Sequence, residues 1–227
     1  MHVSAGDRFG TIGGGQLEYL AIEAARELLA KGRETAHLDV PLGPEIGQCC
    51  GGRVAVEIAL MDDHLRRATL SAAAREVADR PAVLIHGAGH VGRALAAAMS
   101  ALPFATTLID SRPDELALGT KSVAHRLTPL PEACVREAPP GAAHVILTHD
   151  HALDFLLTCE ALERGDARYV GLIGSATKRA RFQRFAAERG VATSGLTCPI
   201  GAAGSGDKRP ELIAAFAAAE IAAALTG

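Results

Sequence analysis

Val83-Leu84-Ile85-His86-Gly87-Ala88-Gly89-His90-Val91-Gly92 is the stretch that decides the fold of this chain. A short apolar run, which predicts a buried strand, leads directly into a Gly-x-Gly-x-x-Gly turn that opens a helix. In such a turn the first glycine allows the bend, the second lets the backbone approach a diphosphate, and the third packs helix on strand. We therefore predict a Rossmann-like domain over residues 80–227, with Gly87, Gly89 and Gly92 at the ligand site. The alternative is the same turn used only as scaffold, with its phosphate site empty or given to another ligand.

The rest of this region alternates strand and helix, which predicts a parallel sheet covered on both faces. Asp110 ends the second strand, close to the spacing of a carboxylate that binds a ribose 2′-hydroxyl. The predicted strands are 83–87, 106–110, 123–127, 144–148 and 169–174, and the predicted helices are 91–102, 131–138, 151–164, 175–188 and 211–225.

Two more turns carry polar groups to the same edge of this sheet. In the turn of residues 171–179, Ser175 is a good N-cap, and Lys178 with the free N–H groups predicts an anion site. The alternative is a capped helix whose basic residues face solvent. Thr148-His149-Asp150-His151 ends another strand and suits a metal or acid–base chemistry, but no further ligand completes a metal set. We favour Asp150 as a helix cap over metal binding.

The first region, residues 1–62, is a small mixed α+β unit, joined to the second by a polar linker helix over 63–79. Strands are predicted at 35–40 and 53–60. The helix predicted at 16–31 has an apolar face made of Leu17, Leu20, Ala21, Ala24 and Leu28.

The long loop of this region contains Gly47-Gln48-Cys49-Cys50-Gly51-Gly52. Neighbouring cysteines do not easily close a disulfide with each other, whereas thiolates are good nucleophiles and soft metal ligands. The flanking glycines let a ligand approach the backbone. We favour a functional role for Cys49 and Cys50 over the alternative of small buried core residues.

Composition excludes several classes of protein. The 227 residues carry a net charge of −3 without a basic stripe, and aromatic residues are 4%, so nucleic-acid binding is not expected. Five cysteines in a chain of this length indicate a reducing compartment rather than a disulfide framework. With neither a signal peptide nor a transmembrane stretch, we expect a cytoplasmic protein without membrane contact.

Five motifs together resemble, in the same order, those of the XdhC/CoxI family of xanthine dehydrogenase accessory proteins. They are Gly10-Thr11-Ile12-Gly13-Gly14-Gly15-Gln16-Leu17-Glu18, Gly47-Gln48-Cys49-Cys50-Gly51-Gly52, His86-Gly87-Ala88-Gly89-His90-Val91-Gly92, Thr148-His149-Asp150-His151, and Gly171-Leu172-Ile173-Gly174-Ser175 through Lys178-Arg179. Family members usually carry a strand–helix segment before the first motif. Because this chain begins just short of it, we expect a truncated first domain.

The resemblance implies a chaperone of the molybdenum cofactor rather than a redox enzyme. Such a protein binds the finished molybdopterin as cargo while a cysteine desulfurase supplies its terminal sulfur, and then passes it to apo-xanthine dehydrogenase. Its expected partners are therefore that apoenzyme, the desulfurase and the cofactor synthesis proteins, and we expect a homodimer. No residue is assigned as catalytic. The residues expected to contact the cofactor are Gln48, Cys49, Cys50, Gly87, Gly89, Gly92, Asp110, Ser175 and Lys178.

Two other functions remain open at this stage. The glycine turn and Asp110 suit an NAD(P)-dependent oxidoreductase, for which only His149 and His151 offer a catalytic acid or base. A redox sensor would bind NAD(P) and use Cys49 and Cys50 as a switch. In both cases we expect the chain to bind free NAD(P) with only modest affinity.

Overall fold

The computed structural model describes residues 1–43, 51–202, 204 and 206–227. It divides into two compact units, Met1–Ala73 and Ala74–Gly227. Gln48, Cys49 and Cys50 lie outside the described residues. Across the part of the chain that is described, no helix combines the length and the apolarity needed to cross a membrane.

The first unit is built from two small antiparallel sheets and a helix. Strands β1 (His2–Val3) and β2 (Arg8–Phe9) pair with each other and precede helix α1 (Gly15–Ala30). Strands β3 (Thr35–Pro41) and β4 (Arg53–Ala59) form the second antiparallel pair. Helix α2 (Asp63–Ala78) begins in the first unit and ends in the second, so the division falls inside the predicted linker helix.

The buried face of α1 differs from the predicted face. Glu18, Ala21, Ile22, Ala25 and Leu28 are buried, so the stripe is rotated by about one residue from the predicted one. The predicted apolar face did not include Glu18. Its carboxylate is buried because the preceding loop supplies hydrogen-bond donors to it, as described below.

The second unit contains a six-stranded parallel sheet, which confirms the predicted Rossmann-like fold. Its order, β10-β9-β8-β5-β6-β7, is the Rossmann order 3-2-1-4-5-6 read from the other edge. The strands are β5 (Ala82–His86), β6 (Ala105–Asp110), β7 (Ala124–Leu127), β8 (Ala143–Ile146), β9 (Tyr169–Leu172) and β10 (Leu196–Thr197). The helices are α3 (His90–Met99), α4 (Pro113–Ala117), α5 (Pro131–Glu137), α6 (His151–Arg164), α7 (Ala176–Ala187) and α8 (Pro210–Thr226).

The sheet is covered on both faces by separate apolar clusters. On one face Val83, Ile85 and Val145 pack with residues of α3 and α8, including Leu95 and Ile221. On the other face one cluster joins Ile146, Val170 and Leu172 to α6 and α7, and a smaller one lies around Leu84 and Ile109. Successive strand residues thus point to opposite cores, which explains why these strands read as continuous apolar runs.

Two elements of this unit were absent from the sequence prediction. The short helix α4 begins with Pro113 at its first position, and the two-residue strand β10 pairs in parallel with β9. Both are too short to show a hydrophobic period. The edge position of β10 became apparent only from its pairing with β9.

Candidate functional site

The turn between β5 and α3 has the close contacts that its glycines predict. A Cβ on Gly92 would lie 1.9 Å from the carbonyl oxygen of Gly87, and a Cβ on Gly87 would lie 2.4 Å from that of Leu147. A Cβ on Gly89 would meet nothing within 4 Å, and none of the side chains that the structure describes caps α3. The first and third glycines therefore serve packing, whereas the second leaves the uncapped helix N-terminus open to an anion.

Asp110 lies where the sequence predicts, at the carboxyl end of β6, but its carboxylate already has partners. It accepts hydrogen bonds from the Ala88 N–H (2.7 Å) and from the Arg112 N–H (2.9 Å). The Arg112 guanidinium donates to both carboxylate oxygens, at 3.0 and 2.9 Å. Burial alone would raise the pKa of Asp110, but these bonds, led by those from Arg112, lower that pKa to about 2. The carboxylate is thus charged and committed to stabilising the glycine turn.

The segment after β8 is organised by helix capping, as predicted. The Asp150 carboxylate accepts from the backbone N–H groups of Ala152 (2.7 Å) and Leu153 (3.4 Å), which confirms its role as the N-cap of α6. Among the residues that the structure describes, no group of three or more His, Cys, Asp and Glu side chains could hold a metal ion.

Lys178 and Asp154 form a buried ion pair that the sequence analysis missed. The Lys178 Nζ donates to the Asp154 carboxylate, and the two side chains are only 11% and 1% exposed. The same carboxylate accepts from the N–H and the hydroxyl of Thr148, both at 2.8 Å. Lys178 therefore joins α7 to α6 and to the end of β8. Asp154 stood one turn inside a predicted helix, and nothing in its spacing indicated a partner on α7.

The turn before α7 completes this edge of the sheet. Ser175 accepts from the Lys178 N–H at 3.2 Å, which confirms Ser175 as the N-cap. A cleft of about 330 Å³ lies beside it and includes the exposed Arg181. Lys178 is paired with Asp154. Arg181, by contrast, has no ion-pair partner among the residues that the structure describes. The cleft is lined by His151, Phe155, Ser175, Thr177, Lys178 and Arg181.

Two buried histidines lie beneath the glycine turn, and the sequence analysis assigned neither. His86 of β5 and His144 of β8 stack with ring centroids 5.8 Å apart, and His86 Nε2 lies 3.5 Å from His144 Nδ1. Burial lowers the pKa of His86 to about 3 and that of His144 to about 4, so both rings are neutral at pH 7. A histidine within an apolar strand can indicate a functional residue, but it is equally typical of a buried core residue. The sequence alone therefore did not distinguish the two.

In the first unit, Glu18 holds the glycine-rich loop that precedes α1. Its carboxylate accepts from the N–H groups of Ile12 (3.1 Å) and Gly14 (3.2 Å) and from the Thr11 hydroxyl. The Thr11 hydrogen bond is the leading cause that lowers the pKa of Glu18. The first family motif, residues 10–18, is therefore a glycine-rich loop held by hydrogen bonds to the Glu18 carboxylate at the start of α1.

The first unit also contains an open pocket of about 380 Å³, lined mainly by aliphatic side chains of α1 and β4. Cys134 and Cys159 are buried core residues. Cys198 follows β10 and is also buried, and its carbonyl oxygen accepts from Arg179. Burial raises the pKa of the Cys198 thiol, which is therefore protonated at pH 7.

Comparison with known families agrees with this architecture. The model described as the XdhC Rossmann domain matches residues 83–221, and the model of the XdhC and CoxI family matches residues 1–40. The chain belongs to the XdhC family. No curated protein sequence matches it.

A solved structure from Bacillus halodurans, described as that of a xanthine dehydrogenase, is similar to this XdhC-family chain. The match covers 97% of this chain and 83% of that one, with a TM-score of 0.80 and 18% sequence identity. At this identity the likeness shows the fold.

Proposed function

We propose that this XdhC-family chain is a maturation factor for xanthine dehydrogenase that carries the molybdenum cofactor as cargo and is not itself a redox enzyme. The observation that carries the proposal is the family match over residues 83–221 together with the uncapped N-terminus of α3 at the sheet edge. The cargo has a phosphate, and helix N-termini bind phosphates. A cofactor chaperone needs to bind the phosphate but does not need catalytic residues. This agrees with the neighbouring polar residues, which serve as helix caps or form ion pairs.

In this proposal the residues of the edge have different tasks. The open backbone at Gly89 admits the phosphate, while Gly87 and Gly92 fix the turn. Asp110 stabilises that turn through the Ala88 N–H, so it supports the ligand site rather than binding the ligand directly. Lys178 likewise fixes α7 against α6, and Ser175 caps α7. Gln48, Cys49 and Cys50 are proposed to meet the molybdenum end of the cargo.

The proposed partners follow from the same role. Apo-xanthine dehydrogenase would receive the cargo, the cofactor synthesis proteins would deliver it, and a cysteine desulfurase would act on it while it is held. We propose that these exchanges occur in the cytoplasm. We also propose a homodimer.

A test is to purify the full chain after co-expression with the cofactor synthesis proteins, and to measure its molybdenum and, after oxidation, its fluorescent pterin. We expect both at near-equal molar amounts with the protein. Adding the loaded protein to apo-xanthine dehydrogenase should restore activity. A preparation without molybdenum and pterin, or one that fails to activate the apoenzyme, would contradict the proposal.

A second function, binding of NAD(P) as an oxidoreductase or redox sensor, is favoured by one observation. The parallel sheet has the Rossmann order, with the glycine turn at its first strand. Against tight binding, Arg112 and the Ala88 N–H already occupy Asp110, which would otherwise accept the ribose hydroxyls. We expect calorimetry with NAD and NADP to give only modest affinity. Tight binding that Asp110→Ala abolishes would favour this second function instead.

A further inference from the structure

An open cleft of the second unit lies at the amino edge of the parallel sheet, opposite the edge that carries the glycine turn. It is formed by Arg80 before β5, by the loop between α3 and β6, and by the first residues of β6 and β7. Its volume is about 290 Å³. The length of β6, from Ala105 to Asp110, separates this cleft from the site proposed above.

Arg80 gives this cleft a positive charge that nothing nearby balances. The side chain is half-buried, and its guanidinium forms neither a hydrogen bond nor an ion pair within the described part of the chain. Its Nε is shielded from solvent. None of the described residues that line the cleft is acidic. A charge that loses water on burial is normally paired, so this guanidinium lacks its usual counter-ion.

Thr106 is a second polar group without a partner in the same cleft. It is 6% exposed, and its hydroxyl has no hydrogen-bond partner in the described ranges. Thr106 lies beside Val83 in the sheet, so its side chain points to the face that α3 and α8 cover. Leu102, Phe104 and Val123 belong to the apolar cluster on that face and also line the cleft. The hydroxyl is therefore on the same side of the sheet as the apolar wall.

Buried polar atoms are almost always hydrogen-bonded, because leaving one unpaired costs free energy. The cleft brings together two exceptions, Arg80 Nε and the Thr106 hydroxyl, and one of them is part of a cation. This combination indicates that a bound anion supplies the missing partners.

We propose that this cleft binds a small carboxylate with a short apolar body. The planar guanidinium of Arg80 matches a carboxylate in shape and charge, and the Thr106 hydroxyl donates to one of its oxygens after rotation about χ1. Leu102, Phe104 and Val123 offer the surface for the hydrocarbon part. A volume of about 290 Å³ is at the lower end for ligand pockets, so the ligand is small.

The first test is calorimetry of the full chain with benzoate, with uncharged benzamide of the same shape, and with inorganic phosphate. We expect saturable binding of benzoate and at least about tenfold weaker binding of benzamide, which lacks the charge. Phosphate, which has no apolar part, should also bind more weakly than benzoate. Absence of saturable benzoate binding, or equal affinity for either of the other two probes, would overturn the inference.

A pair of arginine variants shows whether benzoate binds in this cleft. We expect Arg80→Met to lower benzoate affinity about tenfold or more, because the charged hydrogen bonds are lost. Arg75→Met removes an exposed cation of α2 that does not line the cleft, and should leave the affinity unchanged. Equal affinities of the two variants would overturn the inference.

A pair of threonine variants separates binding from folding. Thr106→Val keeps the shape but removes a hydroxyl that has no partner in the free chain, so its Tm should be equal to or above that of the unaltered chain. Its benzoate affinity should fall about fivefold, whereas Thr106→Ser should retain the affinity within about twofold. A Thr106→Val protein with lower Tm and unchanged affinity would mean that the hydroxyl is purely structural, and would overturn the inference. If Thr106→Val fails to fold, the comparison of Arg80→Met with Arg75→Met decides.

Discussion

At the residue scale, Asp110 links the chemistry of the edge to pH. The Arg112 guanidinium and two backbone N–H groups stabilise its charged form, so the pKa of this carboxyl is about 2 in the folded chain against its ordinary 3.8. A group with a lowered pKa contributes stability above its unfolded pKa, and loses it as pH falls through the folded value. The window in which this contribution disappears is therefore pH 4 to 2.

We expect Asp110→Asn to lower the free energy of unfolding by about 2 kcal/mol at pH 7, since Arg112 loses its charged partner. The difference from the unaltered chain should shrink between pH 4 and 2. Urea unfolding of both proteins from pH 7 downwards measures it. Asp114→Asn, at an exposed position on α4, is the matched control. A difference that stays constant with pH would contradict the assignment of the ion pair.

Lys178 gives a second prediction at this scale. Removing its charge leaves Asp154 buried without an ionic partner, so Lys178→Met should cost about 3 kcal/mol of unfolding free energy. The double variant with Asp154→Asn should recover part of that loss, because no charge is then buried. Arg181→Met, an exposed cation of the same helix, should change stability little. If Lys178→Met were as stable as Arg181→Met, the buried pair would be unimportant for stability.

Cys49 and Cys50 lie outside the described residues, so their role stays a prediction. Thiolates suit molybdenum and its sulfido group better than oxygen ligands do. Serine at both positions keeps the side-chain size but removes this softness. We expect the Cys49→Ser, Cys50→Ser variant to retain less molybdenum and to activate less apo-xanthine dehydrogenase, with unchanged thermal stability. Equal retention and activation would mean that the pair has no part in holding cargo.

At the element scale, the glycine turn offers a matched pair of variants. Gly92→Ala places a Cβ 1.9 Å from the Gly87 carbonyl oxygen, so α3 must shift away from β5, at a cost of about 2 kcal/mol. Gly89→Ala meets no atom within 4 Å and has an ordinary φ of −66°, so stability should hold. The Cβ of Gly89→Ala instead faces the open helix N-terminus and should weaken phosphate binding.

Chemical denaturation of the two variants, with calorimetry using hydroxymethylpterin phosphate and adenosine diphosphate, measures both effects. The expected pattern is lower stability for Gly92→Ala and lower affinity for Gly89→Ala. The reverse pattern would mean that the second glycine, and not the third, packs the helix onto the strand.

The long elements of this fold could be predicted from the sequence, because apolar runs and glycine turns are local. The β5–α3 turn and the caps Asp150 and Ser175 are such cases. The buried face of α1 could not be predicted, because the burial of Glu18 depends on donors from a loop that must already be folded. The partner of Asp110 could not be predicted either. Whether its carboxylate binds a ligand or Arg112 depends on the side-chain geometry of the folded protein.

At the scale of the whole molecule, the second unit has a complete core of its own. All three apolar clusters consist of residues from 82 onward, and the sheet is covered on both faces. We therefore expect residues 80–227 to fold alone. Expression of this segment should give one cooperative thermal transition with the circular dichroism of an α/β protein. If this segment unfolded without cooperativity, residues 80–227 would not be an independent domain, and the domain boundary would not lie in the predicted linker helix of residues 63–79.

The two borders of the parallel sheet bear on how the protein behaves when concentrated. A free strand border invites another chain to add a strand, which is a common route to aggregation. Here one border is β10, only two residues long, and the other is the four-residue β7, where Arg126 pairs with Glu137. β10 is too short, and β7 carries a charged side chain, so neither edge strand is a good partner for an added strand. In a bacterial overexpression host, the parallel sheet should therefore contribute little to the formation of inclusion bodies.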